Sequence, residues 1–213
     1  SKGLRALGWK PCKADPDLYL REAVKTTGER YCEYLLAYVD DIITCSKIPN
    51  ETMDAIRRRG FILKDGSVEQ PKIYLGADIE EFKLPEDPMK MRWAMSSSKY
   101  TAKAVTDVKT KLKEEGLKLP TNVRTPLSSG YRPELDGSRM LSGEEQNYFQ
   151  GVIGVLRWIC ELGRLDIIVA VSLLSQYLAQ GSIAHLQQAY YIFAYLKRYD
   201  RSKLVFDDWK LII

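Results

Sequence analysis

A single histidine, four cysteines and no long apolar run narrow what this chain can do before any motif is read. Cys12, Cys32, Cys45 and Cys160 stand at wide, irregular spacings without a C-x-x-C pair. That argues against a zinc site or a disulfide framework and for a reducing compartment. The most apolar stretch, LDIIVAVSLLSQYLAQ, is interrupted by Asp166, Ser172, Ser175 and Gln176, and no signal-peptide pattern opens the chain. The expectation is a soluble intracellular protein without a membrane partner. Strong charge of one sign is also lacking: the net charge is +4, so the total argues for no particular partner and only its distribution can. No G-x-x-x-x-G-K-[ST] phosphate cradle and no internal repeat occur. The chain opens on SKGLRALGWK without an initiator Met and stops at FDDWKLII, as an excised piece of a longer protein would.

What is present suits one sizeable core or two small ones, with 45% hydrophobic residues in a chain of 213. The texture changes near Ser96, where strand-like runs give way to helical periodicity, and the main boundary is expected there. Ahead of it, LYLREAV and YCEYLLAYV read as strands joined by the turn-rich KTTGER, and IITCS resumes strand character. Asn50 is expected to cap a short helix, ETMDAIRRRG, closed by Gly60. KIYLGADIEEF and MKMRWAMS form a second hairpin across KLPEDP. Beyond Ser96, serines 96 to 98 are expected to cap a lysine-bearing helix stopped by Gly116. An irregular linker follows, LPTNVRTPLSSGYRPELDGSRM. Ser142 and Glu145 form a capping box for the next helix, whose Gly151 and Gly154 suit close approach by another element. Gly163 ends that helix, Asp166 favours the start of another, and Ser182 caps IAHLQQAYYIFAYLKRY. Trp93 and Trp158 are expected in the core.

The stretch EYLLAYVDDIITCS sets Asp40 and Asp41 between two apolar runs. A P-loop nucleoside triphosphatase ends a strand in this way, but its phosphate cradle is missing. A helical acidic metal motif conflicts with the β-branched and aromatic flanks. A hairpin tip remains, in which an aspartate is the residue best suited to a positive φ. Adjacent carboxylates on a hairpin suit hard Mg²⁺ ions and phosphoryl chemistry. The plainer reading of a bare Asp-Asp is a polar turn on an ordinary hairpin.

The flanking sequence favours the first of these. YVDD between apolar strands resembles the polymerase signature of reverse transcriptases, and the rest of the chain resembles the copia-type retrotransposon polyproteins. LGWKPCKADPDLYL, IYLGADI, TPLSSGYRPEL, YFQGVIGVLRWICELGRLDIIVAVSLLSQYLA and HLQQAYYIFAYLKRY are similar, in the same order, to successive segments of that family. The wording is most similar to copia-like elements of diatoms and other algae. Leu165 stands where the family usually has Pro, and the segment between DD and YLG is shorter than in many relatives.

The resemblance implies an α+β fold: a partial polymerase palm of antiparallel strands with a YVDD hairpin, followed by a helical thumb and connection region. Residues 1–95 would be the C-terminal part of the palm with its primer-grip hairpin. Residues 96–141 would be a thumb-like helix and linker, and 142–213 a helical region leading toward an RNase H domain. Asp40 and Asp41 would be the catalytic metal ligands for two Mg²⁺ (or Mn²⁺) ions, with Tyr38 and Val39 beside the primer terminus and incoming nucleotide. Tyr74, Leu75 and Gly76 would position the primer. The implied partners are an RNA or DNA template with primer, deoxynucleoside triphosphates, and the fingers, first palm aspartate and RNase H parts of the same polyprotein. The implied location is a cytoplasmic virus-like particle, with nuclear entry of the complex. Without those other parts the chain is expected to bind metal weakly and not to polymerise alone.

Lys99, Lys103, Lys109, Lys111 and Lys113 stud one helix and are candidates for phosphate contacts along the nucleic-acid backbone, against the alternative of a solvated face. Arg57, Arg58 and Arg59 read as solvated, and His185 as a helix-surface or cap residue. Two functions stay open: a segment of an RNA-directed DNA polymerase, and an inactive retroelement relic or accessory nucleic-acid-binding module.

Overall fold

Period-two alternation in the first third of the chain builds one antiparallel sheet, and helical periodicity in the rest builds a helical layer on a second. A computed structural model describes residues 2–63 and 68–206, which form two units, Ser1–Pro71 and Lys72–Ile213. The closing stretch 207–213 lies outside the described residues.

In the first unit, β1 (Lys10–Pro11), β2 (Leu18–Val24), β3 (Arg30–Tyr38) and β4 (Asp41–Cys45) form a meander in the order β1-β2-β3-β4, all antiparallel. Helices α1 (Lys2–Arg5) and α2 (Pro49–Arg58) supply the other layer. Leu4, Trp9, Tyr19, Leu35 and Ile56 form the core, with Tyr19 supplied by β2 and Leu35 by β3. The start of α2 differs from expectation. Ile48 holds the N-cap position without a side-chain bond, Pro49 stands in the first turn, and Asn50 lies inside the helix. Proline's fixed φ and missing N–H make that position its natural place, so the helix begins ahead of Asn50.

In the second unit, β5 (Ile73–Tyr74), β6 (Ala77–Leu84), β7 (Asp87–Ser96) and β8 (Leu204–Phe206) form an antiparallel sheet in that order. Four helices accompany it: α3 (Ser98–Glu114), α4 (Gly143–Glu161), α5 (Ile168–Ser175) and α6 (Ile183–Arg198). Their core includes Val108, Leu112, Phe149, Ile153, Leu156 and Phe193. The units divide at Pro71, ahead of the change in texture at Ser96, because β7 pairs with β8 from the far end of the chain. That three-residue strand is too short to stand out in a sequence.

Capping follows the sequence at α4 and α6. The Ser142 hydroxyl accepts from Glu145 N–H while the Glu145 carboxylate accepts from Ser142 N–H. At α3, Ser97 occupies the cap position without a side-chain capping bond to the helix backbone, and the Ser96 hydroxyl accepts from Ser98 N–H instead. Gly151 and Gly154 do not mediate close packing: a Cβ at either would meet nothing within 4 Å. Close approach occurs at Gly163, which has φ 100° and where a Cβ would meet Leu204 Cβ and Met95 Cε at 3.3 Å. Trp93 is 38% exposed beside Phe206, since Arg92 and Ala94 take the buried positions of β7; Trp158 is half-buried, and among the described residues the enclosed indole is that of Trp9. The stretch from 117 to 142 is irregular apart from a 3₁₀ turn at Pro133–Leu135 and a bridge between Met140 and Ser182. It is nonetheless held to the helices, with Ser128 donating from its N–H and hydroxyl to Gln188 Oε1, each at 3.1 Å.

Candidate carboxylate site on the β3–β4 hairpin

Tyr38 pairs with Asp41 across the β3–β4 ladder, leaving Val39 and Asp40 as a two-residue turn. Val39 has φ 54° and is 93% exposed. The left-handed residue is therefore the valine and not an aspartate, contrary to the sequence expectation. Only the first turn position has a positive φ, the sign pattern of a II′ turn, which matches the twist of the flanking strands. A β-branched residue there is strained by about 1–2 kcal/mol, and no burial of its side chain offsets that cost.

The turn presents Asp40 and Asp41 to solvent, and neither side chain makes an ion pair or hydrogen bond among the described residues. Direct cross-strand pairing puts the side chains of Asp41 and Tyr38 on the same face. Two adjacent, unencumbered carboxylates are a donor set that fits hard divalent cations, which take carboxylate oxygens and keep several waters. Among the described residues no third His, Cys, Asp or Glu joins them in a cluster of metal-ligating groups.

The base of this hairpin is fixed by a buried polar network that sequence reading missed. Glu33, 1% exposed, accepts from Arg21 at 2.7 Å, from the Tyr31 hydroxyl at 3.1 Å and from the Ser46 hydroxyl. Arg21 also reaches Thr52 Oγ1 at 3.3 Å and the Leu7 carbonyl at 3.4 Å, and lies 4.4 Å from the centroid of the Trp9 ring. Burial pushes the Glu33 carboxyl up, but hydrogen bonds from Ser46 and Arg21 outweigh it and hold the group below the usual range. A charged residue at an inward position of β3 was the available signal.

The other candidates lie in the second unit. Tyr74 pairs with Ala77, so Leu75 and Gly76 form the β5–β6 turn, with φ 51° and 88°. Two positive values define a I′ turn, which glycine suits and leucine does not. On α3, Lys99, Lys103, Lys109 and Lys113 fall within about 120° on the helical wheel, whereas Lys111 lies apart. Lys111 pairs with Glu115 at 3.2 Å, which raises its pKa, and Lys99 pairs with Asp78 at 2.7 Å. Lys103, Lys109 and Lys113 are exposed and carry no ion pair among the described residues. A groove of about 510 Å³ lies between α3 and α4, lined by residues such as Tyr100, Val108, Tyr148, Gly151 and Val155. Its walls are mostly apolar and offer no acid–base constellation.

Asp136, Ser182 and His185 also meet, but not as a nucleophilic triad. Ser182 N–H donates to His185 Nδ1 at 2.9 Å, and the Ser182 hydroxyl donates to Asp136. The imidazole accepts through Nδ1, and Ser182 is 2% exposed, so the cluster caps α6 and presents no nucleophile. His185 is the buried half of a capping box, not a helix-surface residue.

No described helix is long and apolar enough to cross a membrane. Comparison with protein-family models, with curated proteins and with solved structures found no match.

Proposed function

We propose that the chain is a polymerase segment of a copia-type reverse transcriptase, in which Asp40 and Asp41 hold the divalent ions of nucleotidyl transfer. The observation that carries this reading is the β3–β4 tip: two free carboxylates on a short hairpin whose valine takes a left-handed φ. An unconstrained polar turn would place Gly or Asn there; a strained Val beside two unpaired aspartates suits a site selected for chemistry.

Two divalent ions bound there would assist attack by a primer 3′ oxygen and stabilise the leaving pyrophosphate. The protein's own part is to hold the carboxylates. The ladder fixes the backbone on either side of Val39–Asp40, and the Glu33–Arg21–Ser46 network fixes the hairpin base. Tyr38, on the Asp41 side of the hairpin, would meet the primer terminus or nucleotide. Lys103, Lys109 and Lys113 offer point charges for backbone phosphates, and the I′ turn at Tyr74, Leu75 and Gly76 would bear on the primer.

The test has two parts. Mn²⁺ titrated into the labelled chain is expected to broaden the amide signals of residues 39 to 41 first, with weak affinity, and to lose that effect in Asp40→Asn. Primer extension on a primed RNA template, run with the full reading frame of the gene, is expected to be abolished by Asp40→Asn or Asp41→Asn. Broadening centred elsewhere, or extension that survives both substitutions, would refute the reading. Extension absent from the wild-type full frame, with Mn²⁺ still bound at the tip, would favour the inactive accessory module.

A further inference from the structure

Arg57, Arg58 and Arg59 end α2, and the packing of α1 against this end gathers more charge beside them. Arg59 Nη2 donates to the Ala6 carbonyl at 3.2 Å, and the Phe61 ring lies so close to Gly3 that a Cβ there would meet it at 2.6 Å. Lys2 and Arg5 of α1 thus join the three arginines at one corner of the first unit, and all five side chains are exposed. Asp54 pairs with Arg57 at 3.4 Å, and Glu51 stands a turn further back. Five cations against these two carboxylates give this corner a local net charge of +3.

The helix that carries the arginines is anchored to the sheet: Thr52 Oγ1 accepts from Arg21 at 3.3 Å, and Ile56 is buried in the core with Leu4, Trp9, Tyr19 and Leu35.

We propose that this corner grips the phosphates of a nucleic-acid strand. Four of the five cations are arginines, whose planar forks match phosphate oxygens in pairs. Consecutive positions on a helix point about 100° apart, so Arg57 to Arg59 fan around the helix end and suit a backbone that curves past it. A flat anionic membrane is served less well: Ile62 is the one fully exposed apolar side chain of this corner, while the Phe61 ring rests on Gly3 and is 42% exposed. That partly open ring beside arginines adds a surface on which a base can stack. The inference does not depend on metal binding by Asp40 and Asp41.

The experiment is fluorescence anisotropy of a labelled RNA oligonucleotide titrated with the chain between about 50 and 200 mM salt. Arg57→Gln/Arg58→Gln/Arg59→Gln is expected to weaken binding tenfold or more, and to reduce the slope of log K against log salt by about 2, at about 0.7 per single-strand phosphate contact. Arg58→Gln alone, a side chain with no bond among the described residues, is expected to reduce the slope by about 0.7 and serves as the arm least able to disturb folding. Asp40→Asn is expected to leave binding unchanged, which separates this inference from the polymerase reading. Unchanged affinity and slope in both arginine variants, failure of the wild type to bind RNA, or loss of RNA binding only in Lys103→Gln/Lys109→Gln/Lys113→Gln would each overturn it. So would binding to phosphatidylserine vesicles in place of RNA.

Discussion

Glu33 and Arg21 face each other across β3 and β2, joined by a 2.7 Å ion pair whose carboxylate is 1% exposed. This pair, together with the Ser46 hydroxyl, closes the hairpin at the end opposite Val39 and Asp40.

Glu33→Gln is expected to destabilise the first unit by about 3 kcal/mol, the lower end for a broken buried pair, because Arg21 is 24% exposed and can recover some water. The folded carboxyl lies below its unfolded value, so its contribution is complete above the unfolded pKa and lost as pH falls through the folded one. Urea midpoints of wild type and Glu33→Gln should therefore converge under acid conditions. A constant gap would show that the carboxylate charge is not what matters.

Val39→Gly is expected to stabilise the chain by about 0.5–1 kcal/mol. The relief of left-handed strain, about 1–2 kcal/mol, exceeds the extra unfolded-state freedom of glycine. Since Val39 is 93% exposed, no packing is lost. A lower denaturation midpoint in this variant would refute the strain.

The α6 cap should weaken in mild acid. Burial pulls the His185 imidazole below its ordinary value, and its Nδ1 accepts from Ser182 N–H only while unprotonated. The unfolded chain takes up the proton first, so stability falls as pH drops below about 6.5, toward the folded pKa. His185→Gln should flatten this part of the pH profile; an unchanged profile would place its origin elsewhere. Ser182→Ala should cost about 1–2 kcal/mol, read as a lower urea midpoint at neutral pH.

Glu145 accepts hydrogen bonds from Arg139 and from Ser142 N–H, which push its carboxyl down to about 2. A carboxyl-carbon NMR titration should show it ionised well below the other glutamates. Arg139→Gln should return it toward the ordinary range.

Gly154→Ala is expected to raise stability by about 1 kcal/mol, since the added methyl meets open space and alanine is the better helix former. At Gly181 the same change meets Leu141 Cδ1 at 2.9 Å and should lower the midpoint. Equal effects at the two sites would contradict the packing described.

The elements themselves were legible in the sequence where a local rule governs them. Alternation in LYLREAV and YCEYLLAYV specified β2 and β3, the Ser142–Glu145 spacing specified the start of α4, and YVDD between apolar runs specified a hairpin tip. Each signal lies within a few residues, because side-chain period, capping and turn geometry are short-range effects. Tertiary structure alone decided what depends on distant partners. It paired β7 with Leu204–Phe206, left Gly154 facing open space, turned Trp93 outward, buried Glu33 against Arg21, and brought Lys2 and Arg5 beside Arg57 to Arg59. It also put the left-handed φ on Val39 and not on an aspartate, because the register Tyr38↔Asp41 determines which residue opens the turn. Register and burial are settled by the whole sheet and its covering layer, and no window of neighbouring residues contains that information.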